Sequence, residues 1–497
     1  MALLQQESKA LRAEQSAALD NIAKTLVDLQ EHIQPPAINP ASNGLEEELV
    51  YLQSRMSQLQ LAETKIEGQQ QVLKHLSLES RQARHSIISD AHKSTFQWAF
   101  RDKKTANTSN NLVKWLKEEN GYFWISGKPG SGKSTFLKYL AESERTKQFL
   151  SVWSQPQPIV IACHYFWSPG TKMQKSQQGL LQTLLYEIFQ QCPDLIESCY
   201  KRQLPKDNSQ DIQEPWSIPE LHHILQHIAN ADGIGVKFCV FIDGLDEYEG
   251  DHLEFCSALH DLTKSAHIKL CISSRPWNAF TDAFGQDPNH RLYMHELTKN
   301  DIQRYTTDRL QTHPRWEELL VDTPSADTLI QEIVQRATGV FLWVVLVTKL
   351  LRNGLTEYDC YLDLYKRLDT FPTDLQDFFR HILGGVEVFH QEKMATSLRI
   401  ALAADGPLDL TLYSFHDEEY EDPHYALKLE LSQPDQSDYE AMRRRNKLTN
   451  RRLIGRCRGL LEVNKDWEVN LFTPYCQGLF TACRDVKLPS REVATFF

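Results

Sequence analysis

The sequence lacks several features that would place a protein outside the ordinary globular class. Its longest apolar run, Val340 to Leu351 with polar breaks, is about 12 residues, too short to cross a bilayer. Its first residues have neither the charged nor the apolar region of a signal peptide. The ten cysteines are scattered and contain no C-x-x-C pair, so we expect reduced thiols. These absences predict no membrane span and a cytoplasmic location.

Positive charge is also scarce, because 54 Lys and Arg residues face 66 Asp and Glu residues, which gives a net charge of −12. Nucleic-acid-binding proteins usually present a basic face, so this balance predicts no nucleic acid partner. We find no repeat with a period of about 33 to 45 residues. A chain of 497 residues is nevertheless long enough for about three domains.

What is present is a phosphate-binding loop between a strand pattern and a helix pattern. It consists of Gly127, Lys128, Pro129, Gly130, Ser131, Gly132, Lys133 and Ser134, followed by Thr135. These residues fit G-x-x-x-x-G-K-[ST], in which glycines let backbone N–H groups cradle phosphate oxygens. Lys133 would reach the β- and γ-phosphates of a nucleotide, and the Ser134 hydroxyl would bind Mg²⁺. The alternative is a glycine-rich turn without a ligand.

A second strand pattern ends in an acid that suits the same metal. Five apolar residues from Phe238 precede Asp243, which would hold Mg²⁺. Gly244 stands where many ATPases of this type have a water-activating glutamate, and the next acids are Asp246 and Glu247. A displaced carboxylate lies less well over the attacking water, so we expect slow hydrolysis. The alternative is a solvated acidic loop.

A third strand pattern, Lys269–Ser273, leads to Arg275. An arginine in this place could sense the γ-phosphate and stabilise its charge. A structural salt bridge is the competing explanation for Arg275. We therefore count Lys133, Asp243, Asp246, Glu247 and Arg275 as candidate catalytic residues.

Together these segments resemble a NACHT-type NTPase of the STAND class, in the fungal version that is similar to the N-terminal region of nephrocystin-3. The resemblance covers roughly residues 86–470. It depends on Ile88–Trp98, Phe123–Thr135, Phe166–Leu181, Ile242–Glu247, Ser273–Trp277, Leu297–Ile302 and Ala337–Trp343. It implies an assembly switch that binds ATP or GTP with Mg²⁺, rests closed with the diphosphate, and acts in heterokaryon incompatibility or innate-immunity-like signalling.

The expected fold is an α/β P-loop NTPase, with a parallel sheet flanked by helices and helical regions on either side. We predict an N-terminal helical region at 1–85, the NTPase at 86–296, a helical domain at 297–370 and a winged-helix-like domain at 371–472. Within the last, Asp417–Asp422 reads as a solvated acidic loop. Leucines at 45, 52, 59 and 73 and Ile66 recur every seven residues, which fits either a coiled-coil arm for self-association or a hairpin packed on the NTPase.

Residues 473–497 depart from the family pattern. Suitable codons for Thr473–Thr481, read one base later, encode His-Arg-Thr-Val-Arg-Asp-Phe-Leu, the motif expected there. This favours the hypothesis that the tail is out of frame.

Three functions remain open at this point. The first is a signalling switch with weak hydrolysis. The second is a turnover P-loop enzyme, for which we find neither an acceptor site nor a lid. The third is a truncated scaffold or decoy that associates through its N-terminal helices.

Overall fold

The structure is a computed structural model. It describes residues 42–471 except for 79–80, 94, 102–110, 169, 200–215, 231–234, 323–325, 385, 405–406, 423, 426–435, 458–459 and 465. Residues 1–41 of the predicted N-terminal helical region and the tail from residue 473 lie outside the described residues.

Five strands form one parallel sheet in the order β2–β3–β4–β1–β5. They are β1 (Gly121–Ser126), β2 (Ile159–Tyr165), β3 (Lys237–Asp243), β4 (Ile268–Ser274) and β5 (Arg291–Tyr293). Because β1, β4 and β3 run parallel, the loop after β1 and the acids after β3 lie at the same carboxyl edge of the sheet, on either side of β4. The predicted α/β class with a parallel sheet is confirmed.

Helices precede, flank and follow this sheet. The first eleven are α1 (Ser42–Leu76), α2 (Arg81–Ile87), α3 (Leu112–Lys117), α4 (Lys133–Glu142), α5 (Glu144–Ser154), α6 (Gln177–Gln191), α7 (Leu195–Cys199), α8 (Ile218–Asn230), α9 (His252–Thr263), α10 (Asn278–Phe284) and α11 (Met294–Leu297). Short 3₁₀ turns lie at Gln97–Phe100, Met173–Lys175 and Leu245–Glu247.

The sheet separates two cores, as β3 illustrates. Phe238, Val240 and Ile242 join one core, whereas Cys239 and Phe241 join the other. This alternation follows from the two-residue repeat of a strand, and burial on both faces explains the continuous apolar run in the sequence.

The end of α1 belongs to the first of these cores. Val72, Leu73 and Leu76 are buried there, and α1 packs against α6. Leu61, further up the helix, is 76% exposed. The last turns of α1 therefore pack on the NTPase, while the coiled-coil arm stays a prediction.

A second body of helices follows the sheet and shares one core with the C-terminal part of the described chain. Its helices are α12 (Lys299–Gln311), α13 (Trp316–Asp322), α14 (Ala326–Ala337), α15 (Phe341–Thr356), α16 (Tyr361–Thr370), α17 (Leu375–Gly384), α18 (Val388–Ala403), α19 (Leu410–Glu421) and α20 (Gln436–Arg456). A small antiparallel sheet, ordered β6–β8–β7, consists of β6 (Leu408–Asp409), β7 (Leu461–Val463) and β8 (Glu468–Leu471).

The prediction of a solvated acidic loop at Asp417–Asp422 was wrong. Residues up to Glu421 continue helix α19, and Asp417 is buried. Both oxygens of Asp417 accept hydrogen bonds from Arg456, at 2.6 and 2.5 Å. The acids look like a loop in the sequence because the arginine that neutralises Asp417 lies on another helix.

Within the described helices, no stretch combines the length and the apolar character that a membrane crossing needs.

Candidate nucleotide-binding site

The phosphate-binding loop joins the end of β1 to the start of α4. Gly130 and Gly132 have φ angles of +69° and +92°, in the left-handed region that strains other residues. Gly132 is the residue directly before the first turn of α4. The loop therefore leads into the N-terminus of a ten-residue helix, whose unpaired N–H groups attract anions.

Lys133 lies over this loop. Its Nζ donates hydrogen bonds to the carbonyl oxygens of Gly127, at 2.8 Å, and Lys128, at 3.2 Å. Burial lowers the pKa of the Lys133 amine, while the nearby carboxylates of Asp246 and Asp243 oppose that shift. The amine stands between the loop and the acids, where a β- or γ-phosphate would draw it.

Asp243 ends β3 and is buried. Its Oδ1 accepts a hydrogen bond of 2.5 Å from the Ser273 hydroxyl on β4, and that hydroxyl accepts the N–H of Gly244 at 3.0 Å. Ser134, the second predicted magnesium ligand, lies in the first turn of α4, which packs against β3.

Among the described residues, no group of three or more His, Cys, Asp or Glu side chains is arranged to hold a metal. A P-loop site fits this finding, because Mg²⁺ there takes one hydroxyl, one carboxylate, phosphate oxygens and waters. The roles of Ser134 and Asp243 as ligands stay predictions.

Gly244 explains why the next acids are displaced. Its φ of +72° turns the chain from β3 into the 3₁₀ turn Leu245–Glu247, which buries Leu245. Asp246 and Glu247 therefore lie within this turn and not directly after the strand. The sequence showed the displacement but not the turn that causes it.

Arg275 contacts Asp246 in two ways. Its Nε lies 2.8 Å from Oδ2 of Asp246, and its backbone N–H donates to Oδ1 at 2.9 Å. Arg275 therefore forms a salt bridge, which was the alternative explanation for this residue, next to the predicted phosphate site. The sensor role of Arg275 stays a prediction.

Glu247 faces a residue that sequence reasoning missed. Its Oε2 accepts the backbone N–H of Ser168 at 2.7 Å, and burial raises the pKa of its carboxyl group. The positive charge of Arg84 opposes this shift. Arg84, on α2, is buried, lies 6.0 Å from the ring of Trp167, and has Nε and Nη1 without hydrogen-bond partners among the described residues. No motif in the sequence identifies it.

The helices after the sheet touch the loop directly. The backbone N–H of Leu342, at the start of α15, donates to the carbonyl oxygen of Gly130 at 2.9 Å. Lys128 Nζ donates to the carbonyl oxygen of Thr338 at 3.2 Å. A methyl group on Gly130 would lie only 3.0 Å from Cβ of Leu342. The segment Ala337–Trp343, first noticed only as a family marker, therefore covers the loop.

Two other segments of the resemblance meet at Asp301. Its fully buried carboxylate accepts the backbone N–H of Phe96, at 3.0 Å, and the indole N–H of Trp98, at 2.7 Å. Phe96 has a φ of 62°. The contact ties the segment ahead of the sheet to α12.

Comparison with known families agrees with this geometry. Residues 94–275 match the family described as Nephrocystin 3, N-terminal. Residues 385–484 match a domain of unknown function, DUF7791. The first match includes every candidate catalytic and nucleotide-binding residue, so the chain contains a P-loop NTPase domain of the NACHT-like type. No protein of curated function matches the chain.

Solved structures with similarity to the chain include Cdc6p from Pyrobaculum aerophilum, at 12% identity and TM-score 0.29, over 80% of this chain and 96% of that one. Drosophila ORC bound to DNA has 11% identity and TM-score 0.33, over 93% and 99%. The Aeropyrum pernix Orc1 protein in complex with DNA has 11% identity and TM-score 0.30, over 80% and 94%.

The prediction that nucleic acid is excluded as a partner was wrong, because two of these similar proteins are described in complexes with DNA. It depended on a net charge of −12, which is a sum over the whole chain. Such a sum does not describe the charge of any one surface.

Proposed function

We propose that this protein is a nucleotide-dependent signalling switch of the NACHT/STAND class. It binds ATP or GTP with Mg²⁺ through residues 127–135 and hydrolyses the nucleotide slowly. The observation that carries this proposal is the backbone hydrogen bond from Leu342 to Gly130, which links the phosphate-binding loop to the helical body.

Through that bond, nucleotide binding at the loop would alter the packing of the helical body. A ligand shifts a conformational equilibrium only if it binds the two states with different affinity. Because residues 337–343 contact the loop itself, any change in loop geometry between diphosphate and triphosphate acts on the packing of α15. In the closed state the contact persists, and in the open state it is lost and the chain self-associates.

In this account Lys133 neutralises the β- and γ-phosphates, while Ser134 and Asp243 hold Mg²⁺. Either Asp246 or Glu247 orients the attacking water. Asp246 is already engaged by Arg275, and Glu247 accepts a hydrogen bond from Ser168. Neither carboxylate is free to act as an efficient base, so we expect turnover below about 1 s⁻¹, the low end for ordinary enzymes.

The purine base of the nucleotide has a candidate binding site beside the phosphate-binding loop. A cavity of ≈ 360 Å³ lies between the segment Ile88–Trp98 and α4, and Thr135, Lys138 and Tyr139 line part of it. A ring such as Tyr139 can stack on a purine. The resemblance supports the further proposal of a fungal NOD-like receptor-like role in heterokaryon incompatibility or innate immunity.

Hydrogen exchange read by mass spectrometry on peptides covering residues 337–356 tests the switch. With diphosphate and Mg²⁺, the amide of Leu342 should exchange slowly because its bond to Gly130 persists. With a non-hydrolysable triphosphate, exchange should speed up.

Lys133→Ala is the control, since it should make exchange in these peptides insensitive to either nucleotide. Exchange that is identical with both nucleotides in the wild-type protein would contradict the switch. Turnover well above about 1 s⁻¹ would favour a turnover enzyme instead.

A further inference from the structure

Helix α20 carries a charge opposite to that of the whole chain. Its 21 residues include seven basic side chains but only two acids, Asp438 and Glu440. The basic residues are Arg443, Arg444, Arg445, Lys447, Arg451, Arg452 and Arg456.

Two of the seven serve the fold. Arg456 forms the double hydrogen bond with Asp417, and Arg445 forms an ion pair with Glu418, so both point to α19. The buried face of α20 is formed by uncharged residues, among them Asn446, Thr449 and Leu453. These contacts therefore account for Arg445 and Arg456, but not for Arg443, Lys447 and Arg451.

Three basic residues form a stripe toward solvent, which we define as Arg443, Lys447 and Arg451. All three are exposed, and no ion pair is recorded for any of them within the described part of the chain. They recur every four residues, so each is offset by only about 40° around the helix from the one before. Arg452 is exposed as well, about 100° around the helix from Arg451.

The apolar and aromatic side chains on this face indicate which classes of partner it does not suit. Among the side chains of α20 that the structure describes, the large apolar ones that are exposed are Met442, Leu448 and Ile454. They are six residues apart and therefore point about 120° from one another, which gives no apolar face for a lipid surface. No aromatic side chain is exposed among those described on α20, so the described face also lacks the stacking platform typical of single-strand binders.

The stripe has the length of a groove contact. The eight steps from Arg443 to Arg451, at about 1.5 Å each, span about 12 Å, comparable to the width of about 12 Å of the DNA major groove. A helix lying across that groove would reach phosphates on both of its sides.

We propose that the outer face of α20 binds the phosphate backbone of double-stranded DNA. This function is separate from the nucleotide switch and does not depend on it. The contacts would be electrostatic and largely independent of sequence, because arginine and lysine on phosphates position a protein without reading bases.

The test measures the binding of the full chain to a short fluorescent DNA duplex by anisotropy, between about 50 and 200 mM salt. The variant R443Q/K447Q/R451Q should bind at least about tenfold more weakly at low salt. The slope of log K against log salt should shrink by up to about three units, one for each lost phosphate contact.

The matched control is K147Q/K264Q/K366Q, which removes the same charge at exposed lysines that pair with an acid one turn away. It should bind DNA like the wild-type protein. A conservative variant, R443K/R451K, should retain most of the binding, which separates charge from folding.

Equal weakening in both triple variants would mean that only net charge matters and would overturn the proposal. So would a wild-type protein that ignores the duplex, including one that binds phosphatidylserine vesicles or an acidic peptide instead. Unchanged binding in R443Q/K447Q/R451Q would overturn it as well.

Discussion

Arg275 and Asp246 engage each other beside the predicted phosphate site, and only about 4% of the Asp246 side chain is exposed. The sequence leaves two explanations of Arg275 open, a phosphate sensor and a structural salt bridge, and this pair is compatible with both. A phosphate sensor must exchange partners when triphosphate binds, whereas a structural pair need not. The observed geometry permits the exchange because the side chain of Arg275 is still 21% exposed.

We predict that Arg275→Met destabilises the protein without nucleotide by about 1–3 kcal/mol, because it leaves a buried carboxylate without its charged partner. The double variant Asp246→Asn/Arg275→Met should recover part of that loss. Chemical denaturation measures both. Equal stability of Arg275→Met and wild type would show that the pair contributes little.

Some residues of the candidate site could be predicted from the sequence and others could not. Asp243, Lys133 and the glycines of the loop were predictable because their motif sets local geometry. Arg84 and the partner of Asp301 were not, because their neighbours lie far away in the chain. Burial of a charged group is a property of packing, and no spacing rule in one sequence reveals it.

At the scale of elements, strands β1 to β4 follow from their apolar runs. Strand β5 does not, because three residues are too few to show a two-residue period.

Strand β4 contains a fully buried lysine, Lys269, which the sequence did not predict to be buried. Its Nζ donates to the carbonyl oxygens of Trp115, at 2.7 Å, and Leu116, at 3.3 Å, at the end of α3.

Burial lowers the pKa of Lys269 from 10.5 to about 7. A depressed lysine pKa adds stability that is fully present above pH 10.5 and is lost as the pH falls through about 7. We predict that Lys269→Met removes this dependence. The unfolding free energy of the wild-type protein should therefore rise relative to that of the variant between pH 7 and 10, by a few kcal/mol at most.

Lys264→Met, at an exposed lysine, is the matched control and should follow the wild-type protein at every pH. Denaturation curves across the pH range provide the measurement. Parallel profiles for wild type and Lys269→Met would show that the buried amine does not titrate in this window.

Helix α1 gives a second prediction for an element. Leu73→Ala should cost about 2–5 kcal/mol, since it opens a cavity in the core that α1 shares with the NTPase. Leu61→Ala, at an exposed position, should change stability by less than about 0.5 kcal/mol. Thermal unfolding distinguishes them, and a neutral Leu73→Ala would mean that α1 is not part of the folded core.

For the whole molecule, the net charge of −12 led to the wrong prediction that nucleic acid is excluded, because it does not show where the positive charges lie. A strongly basic helix, α20, packs on an acidic one, α19, and the stripe of Arg443, Lys447 and Arg451 points to solvent. The nucleotide loop, the helical body and the segment ahead of the sheet are joined by backbone and buried side-chain contacts. A change at the phosphates therefore has a physical route to distant parts of the chain.

The central claim is that residues 127–135 hold a nucleotide whose phosphates set the state of the molecule. The most direct test is to denature the purified protein and identify any released nucleotide by chromatography, with Lys133→Ala purified in parallel. We predict ADP or GDP from the wild-type protein and none from the variant. A wild-type protein that releases no nucleotide and binds neither added diphosphate nor triphosphate with Mg²⁺ would contradict the account.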